Sequence, residues 1–318
     1  MQLREKVGYF LTVIEPFRSE KTSTWYSDKL LRVVAFFEQR CAVVEVDELE
    51  PLHVVQLFRY LRDERHCSES TLAGYRRALR RLFKWLETIP GLSGLTERLL
   101  GGLPTVASPR RVPEALAEAE VTSLFAASAD EGEAAILATL LSTGIRAGEF
   151  VALQVGDVDF RNNRIRVRRP GYRQPGGPKG GHERLVPLPP RLKGILADYI
   201  GRVRARLDRG GSPYLFLNRR GAPYTTQSLY SIVRRCLEDA GIHKRGMGAH
   251  LLRRTFASRL RARGTSKSDI AALMGHSQTT GTRVLDESYL SSEANEQALS
   301  HTPDPLDDVV TLAPRRQR

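Results

Sequence analysis

The stretch GAHLLRRTFASRL (248–260) sets His250 and Arg253 three residues apart, so in a helix they share a face. Leu251, Leu252, Phe256 and Leu260 fall at the spacings of one buried stripe, and the polar face borders it. An arginine at the edge of an apolar face calls for an anion, because its charge is almost never buried unpaired, and phosphate suits its planar fork. A surface helix with solvated arginines is the competing reading. Other candidates lie on either side. Arg146 sits in the first turn of the helical pattern IRAGEFVALQV, with Glu149 close enough to orient it. Lys179 ends the Gly/Pro-rich connection GYRQPGGPKGG, which lacks the GxxxxGK spacing of a nucleotide loop. His276 follows a glycine, where a helix-cap role is the plainer explanation.

Such side chains act only if a scaffold holds them. Gly101, Gly102, Pro104, Pro109 and Pro113 punctuate LLGGLPTVASPRRVPEA, a segment without apolar periodicity that reads as a linker. Ahead of it, TSTWYSDKLLRVVAFFEQR, ELEPLHVVQLFRYLRDE and SESTLAGYRRALRRLFKWLET predict three helices of a small bundle. In the third, Ser70 is the expected N-cap and Leu72, Tyr75, Leu79, Leu82, Phe83 and Leu86 the inward stripe. Arg76, Arg77, Arg80, Arg81 and Lys84 crowd its other face. Like charges four apart destabilise a free helix, so this ridge is read either as a DNA-backbone contact or as a solvated face.

Beyond the linker, EAEVTSLFAAS and EGEAAILATLLSTG predict helices, the second closed by Gly144. RNNRIRVRRP and HERLVPLPP alternate like antiparallel strands. Helices follow in LKGILADYIGRVRARL, TTQSLYSIVRRCLEDAG, the 248–260 stretch and SKSDIAALMGH, and TPDPLDDVVTLAPRRQR reads as a loosely ordered tail. The expected fold class is mainly α with a small antiparallel β-sheet.

Charge points to a polyanionic partner. The 318-residue chain carries a net +13, and the excess is uneven: 16 Lys/Arg against 14 Asp/Glu up to Thr105, then 33 against 22. No apolar run reaches the length of a membrane span, and the first residues lack a signal peptide's apolar core, so a cytoplasmic protein is expected. Cys41, Cys67 and Cys236 show no paired spacing, so neither a disulfide framework nor a zinc site is indicated.

Taken in order, TGIRAGE (143–149), KGGHERLVPL (179–188), HLLR (250–253) and LMGHS (273–277), followed by a tyrosine, resemble the tyrosine recombinase, or phage integrase, family. The resemblance covers nearly the whole chain. It implies a helical, SAM-like core-binding domain over 1–99, a linker over 100–113, an α+β catalytic domain over 114–300 and a C-terminal tail over 301–318. The layout is Xer-like, with no arm-binding domain. By the same resemblance, Arg146, Lys179, His250, Arg253 and His276 surround one scissile phosphate. Arg146 and Arg253 clamp it, Lys179 protonates the leaving 5′ oxygen, His250 assists proton transfer at the nucleophile, and His276 hydrogen-bonds the phosphate.

In the family the nucleophilic tyrosine follows the glycine-histidine pair by about nine residues, a position held here by Leu285. The first tyrosine is Tyr289, and YLSSE resembles the family's sequence after its nucleophile. The lengthened segment leaves delivery in cis or in trans open. The resemblance implies a site-specific recombinase working through a 3′-phosphotyrosyl intermediate, without metal, cofactor or ATP, as a tetramer on two duplex DNA sites. Arg76, Arg77, Arg80, Arg81, Lys84, Arg110 and Arg111 are the expected DNA contacts. A type IB topoisomerase-like nicking-closing enzyme and a catalytically silent DNA-binding relative are the alternatives.

Overall fold

A computed structural model describes residues 2–18, 20–103, 114–168, 183–244, 246–275 and 302–309. The described residues up to 103 form one compact unit and those from 114 onward another.

The first unit is helical: α1 (Leu3–Ile14), α2 (Glu20–Cys41), α3 (Pro51–Arg59, continued by a wide turn at Tyr60–Glu64), α4 (Glu69–Leu86) and α5 (Leu95–Leu100). Two of these helices go beyond the three that periodicity predicts. In α1 the buried residues Leu3, Val7, Phe10 and Ile14 form a single narrow stripe, and α5 is too short to show a period. Helix α4 begins two residues earlier than expected. Ser68, not Ser70, is the N-cap: its extended backbone lets its hydroxyl accept from the Thr71 amide, with the Ser70 hydroxyl 3.0 Å away. The stripe Leu72, Tyr75, Leu79, Leu82, Phe83 and Leu86 is buried, as its spacing requires.

The second unit is built around α7 (Glu131–Thr143), a helix with apolar or small residues on every side, buried without interruption from Glu133 to Thr143. Its other helices are α6 (Glu118–Ala126), α8 (Ala147–Val151), α9 (Pro190–Asp198), α10 (Ala205–Leu207), α11 (Thr226–Asp239), α12 (Ala249–Ala262) and α13 (Lys267–Met274); α9 and α12 pack directly on α7, and α13 packs on α12. Strands β1 (Val158–Asp159), β2 (Arg164–Val167) and β3 (Arg184–Pro187) form an antiparallel sheet in that order, with Ile165 opposite both Val158 and Val186. The architecture is thus mostly helical with a small sheet at one side.

Gly144 closes α7 in the left-handed region (φ +59°), where a β-carbon would come within 2.2 Å of the Phe256 ring. That contact locks the end of α7 to α12. Arg146 does not lie in the first turn of α8 but just before it: its backbone is extended, its amide donates to the Glu149 carboxylate, and the helix starts at Ala147.

The tail also differs from expectation. Residues 302–309 are docked, with Leu306 and Val309 fully buried in the core of the second unit. Arg191 donates to the Leu306 and Val309 carbonyls, Arg259 to the Pro305 carbonyl, and Arg259 and Arg263 both pair with Asp308. The segment is mostly polar, and two apolar residues three apart are too weak a signal for sequence periodicity to register.

Candidate active site

Glu149 is the centre of the site. It sits in the first turn of α8 with its carboxylate 4% exposed, and a buried carboxylate must be paired. Arg146 supplies its amide to Oε2 at 2.8 Å and its Nη1 to Oε1 at 2.9 Å. Arg184, at the start of β3, lays a fork across both oxygens, with Nη1 to Oε1 at 3.0 Å and Nη2 to Oε2 at 2.9 Å. Burial alone would raise the Glu149 pKa; the bonds and charge of Arg184, then those of Arg146, overcome it and hold the carboxyl at about 2.

Arg253 comes from α12. Its residue is 4% exposed, and its guanidinium donates to the Gly144 carbonyl and, at 2.6 Å, to the Met274 carbonyl. Burial, then the positive charges of Arg146 and Arg184, lower its pKa to about 10, with Glu149 opposing them. It therefore stays a cation at neutral pH. Three guanidiniums thus meet one carboxylate, an imbalance that favours a bound anion.

The C-terminal end of α13 joins the three arginines. Carbonyls left without helical partners at this end accept from Arg184 (Leu273 O, 2.6 Å), Arg253 (Met274 O, 2.6 Å) and Arg146 (Gly275 O, 3.1 Å). Gly275 caps the helix in the left-handed region, and a β-carbon there would lie 2.9 Å from Arg184 Nη1. The Arg146 side chain is 47% exposed, so part of its fork faces outward.

His250 occupies the first turn of α12, one turn before Arg253, and is exposed. Partial burial of its ring, then the charges of Arg254 and Arg253, lower its pKa from the ordinary 6.5. The imidazole is neutral near pH 7 and able to accept a proton.

The structure therefore brings Arg146 and Arg253 to one point and sets His250 on the helix that carries Arg253. Lys179, His276, Tyr289, Arg110 and Arg111 lie outside the described residues. His276 is the residue after Gly275, and Lys179 lies in the connection between β2 and β3.

The basic ridge of α4 is of another kind. Arg77, Arg80, Arg81 and Lys84 are exposed, with Lys84 3.2 Å from Glu87, whereas Arg76 is half-buried and donates to the Leu103 carbonyl at 3.1 Å beyond α5. Sequence reasoning missed Arg184. Its only signal was its place inside KGGHERLVPL, five residues after Lys179, and nothing local names its carboxylate partner 35 residues upstream.

Comparison with known proteins supplies a frame for this geometry. The profile of the phage integrase family matches residues 114–289, and that of the phage integrase N-terminal SAM-like domain matches 9–87 and 54–101. Tyrosine recombinase XerC of Herpetosiphon aurantiacus is 30% identical over 71% of this chain and 71% of its own length. Tyrosine recombinase XerC of Natranaerobius thermophilus is 27% identical over 86% of this chain and 92% of its own. Among solved structures, a lambda integrase dimer bound to a COC′ core site superposes with a TM-score of 0.69 at 16% identity, covering 90% of this chain and 99% of that one. XerH site-specific recombinase bound to palindromic difH substrate, a post-cleavage complex, gives 0.65 at 20% identity, covering 88% and 78%. These two likenesses concern the fold.

Proposed function

Because the chain belongs to the phage integrase family and is a site-specific tyrosine recombinase, we propose that six of its residues carry DNA strand transfer without metal or ATP. Arg146 and Arg253 hold the non-bridging oxygens of the scissile phosphate, whose negative charge grows in the transition state. The Tyr289 phenol oxygen attacks phosphorus as the bond from phosphorus to the 5′ oxygen breaks. The phenol proton passes to His250, and Lys179 gives a proton to the departing 5′ oxygen. His276 hydrogen-bonds the same phosphate. The 3′-phosphotyrosyl bond conserves the energy of the one broken, so a 5′ hydroxyl of another strand reverses the step.

The observation that carries this reading is the meeting of Arg146 and Arg253 on successive carbonyls at the α13 terminus, next in sequence to His276. We assign residues 1–99 as core-binding domain, 100–113 as linker and 114–300 as catalytic domain, acting in the cytoplasm on duplex DNA as a tetramer on two sites. Arg76, Arg77, Arg80, Arg81, Lys84, Arg110 and Arg111 are assigned to the DNA backbone. Tyr289 is assigned in cis.

The test uses duplexes recovered by sequencing DNA bound to the wild-type chain, synthesised with a nick beside the cleavage position so that the released fragment diffuses away. Wild type should form a covalent adduct and exchange strands between two duplexes, and Tyr289→Phe should bind without forming one. Mixing Tyr289→Phe with Arg253→Ala subunits should restore no cleavage; restored cleavage assigns Tyr289 to the neighbouring subunit. Adduct formation by Tyr289→Phe at the wild-type level removes Tyr289 from the mechanism.

A further inference from the structure

We propose that Arg184 is a positioning residue for strand cleavage, setting Arg146 and the end of α13 in one frame. The inference rests on the recombinase reading above.

The geometry is specific to an arginine. Arg184 spends its donors on two separate elements: Nη1 and Nη2 take the two oxygens of Glu149 on α8, while Nε takes the Leu273 carbonyl on α13. Each target adjoins a clamp arginine: Glu149 bonds the amide and guanidinium of Arg146, and the carbonyls after Leu273 accept from Arg253 and Arg146. Leu273 precedes His276 by three residues. The guanidinium lies against Gly275, where no side chain fits. Arg184 is the first residue of β3, five residues after Lys179 in the sequence. Its side chain is 9% exposed, and its Nε, Nη1 and Nη2 all donate to protein oxygens.

A buried ion pair kept only for the fold is the competing explanation, and it contributes little net stability on average. The two accounts part on pH. Glu149 is faced by Arg184 from β3, Arg146 from the cap of α8 and Arg253 from α12. Without Arg184, Glu149 loses the bonds and charge that do most to lower its pKa, so the pKa rises and the carboxyl takes up a proton at a higher pH than in wild type. Arg146 then loses its anchor at low pH and regains it at high pH.

Single-turnover cleavage of the nicked duplex, compared with wild type at each pH from about 6 to 9, reads this directly. Arg184→Gln should cleave about a hundredfold more slowly than wild type near pH 7, the scale of a small misplacement of a catalytic group, and recover toward wild type as pH rises. DNA affinity should change by less than about tenfold, and Arg184→Lys, which keeps the charge without the three-way fork, should lie between the two. Wild-type cleavage by Arg184→Gln overturns the proposal, as does a deficit equal at every pH. If Arg184→Gln shows no cooperative melting transition, Arg184→Lys decides: wild-type cleavage by it overturns the proposal, and an intermediate, pH-dependent deficit supports it. Failure of both variants to fold assigns Arg184 to stability alone and also overturns it. Absence of any adduct with the wild-type chain defeats the recombinase reading itself, a result distinct from all of these.

Discussion

The chain uses arginine in two ways, and α4 and the Glu149 cluster show them side by side. On α4, Arg77, Arg80 and Arg81 project from an exposed face, spaced by the helix alone. Around Glu149, Arg146, Arg184 and Arg253 come from the cap of α8, from β3 and from α12, and all three are directed at carbonyls at the end of α13. An exposed arginine contributes mostly through long-range, salt-screened attraction to phosphates. One fixed by a partly buried network costs no reorganisation when charge develops beside it. The first kind should set affinity and the second should set rate.

The strongest way to break this contrast is to remove a clamp residue. Arg146→Ala should lower single-turnover cleavage by at least about a thousandfold while leaving DNA affinity within about tenfold of wild type. A parallel fall in both returns Arg146 to a general electrostatic role.

His250 sharpens the contrast from the chemical side. Its pKa is lowered by burial and by Arg254 and Arg253, so it is neutral above a value below 6.5, and cleavage should fall as pH drops through that value and charges the ring. Above it, His250→Gln should cost about a hundredfold in cleavage rate and remove the acid limb from the ratio of variant to wild type. An acid limb unchanged in the variant assigns the titration to another group.

The smallest effect on chemistry should come from α4. Replacing Arg77, Arg80 and Arg81 together by Ala should weaken binding and reduce the slope of log affinity against log salt by up to about three, with cleavage at saturating protein unchanged. An unchanged salt slope makes the ridge a solvated face.

How far the sequence anticipates this follows from the range of the interactions. The α4 stripe, the Gly144 cap and the 248–260 helix are local, and their periods and end residues suffice to place them. The motif order names Arg146 and Arg253, and the structure joins them. Arg184 could not be read in this way because its partners are 35 and 89 residues distant, and only the packing of β3 against α13 brings them together. The docking of residues 302–309 escaped for the same reason, since Arg191, Arg259 and Arg263 become its partners only in three dimensions. Ser68 and Ser70 show the local limit: two good caps stand two residues apart, and the backbone conformation chooses.

The central claim is that the arginines fixed around Glu149 and the end of α13 act on the transition state while those projecting from α4 hold the DNA. It is tested most directly by measuring affinity and single-turnover adduct formation on the same nicked duplex for Arg253→Ala and for the Arg77, Arg80, Arg81 triple alanine variant. The account predicts opposite patterns: Arg253→Ala binds like wild type and forms no adduct, and the triple variant binds weakly yet forms adduct at the wild-type rate once saturated. Weakened binding by Arg253→Ala in proportion to its lost cleavage, or slow chemistry in the saturated triple variant, contradicts it.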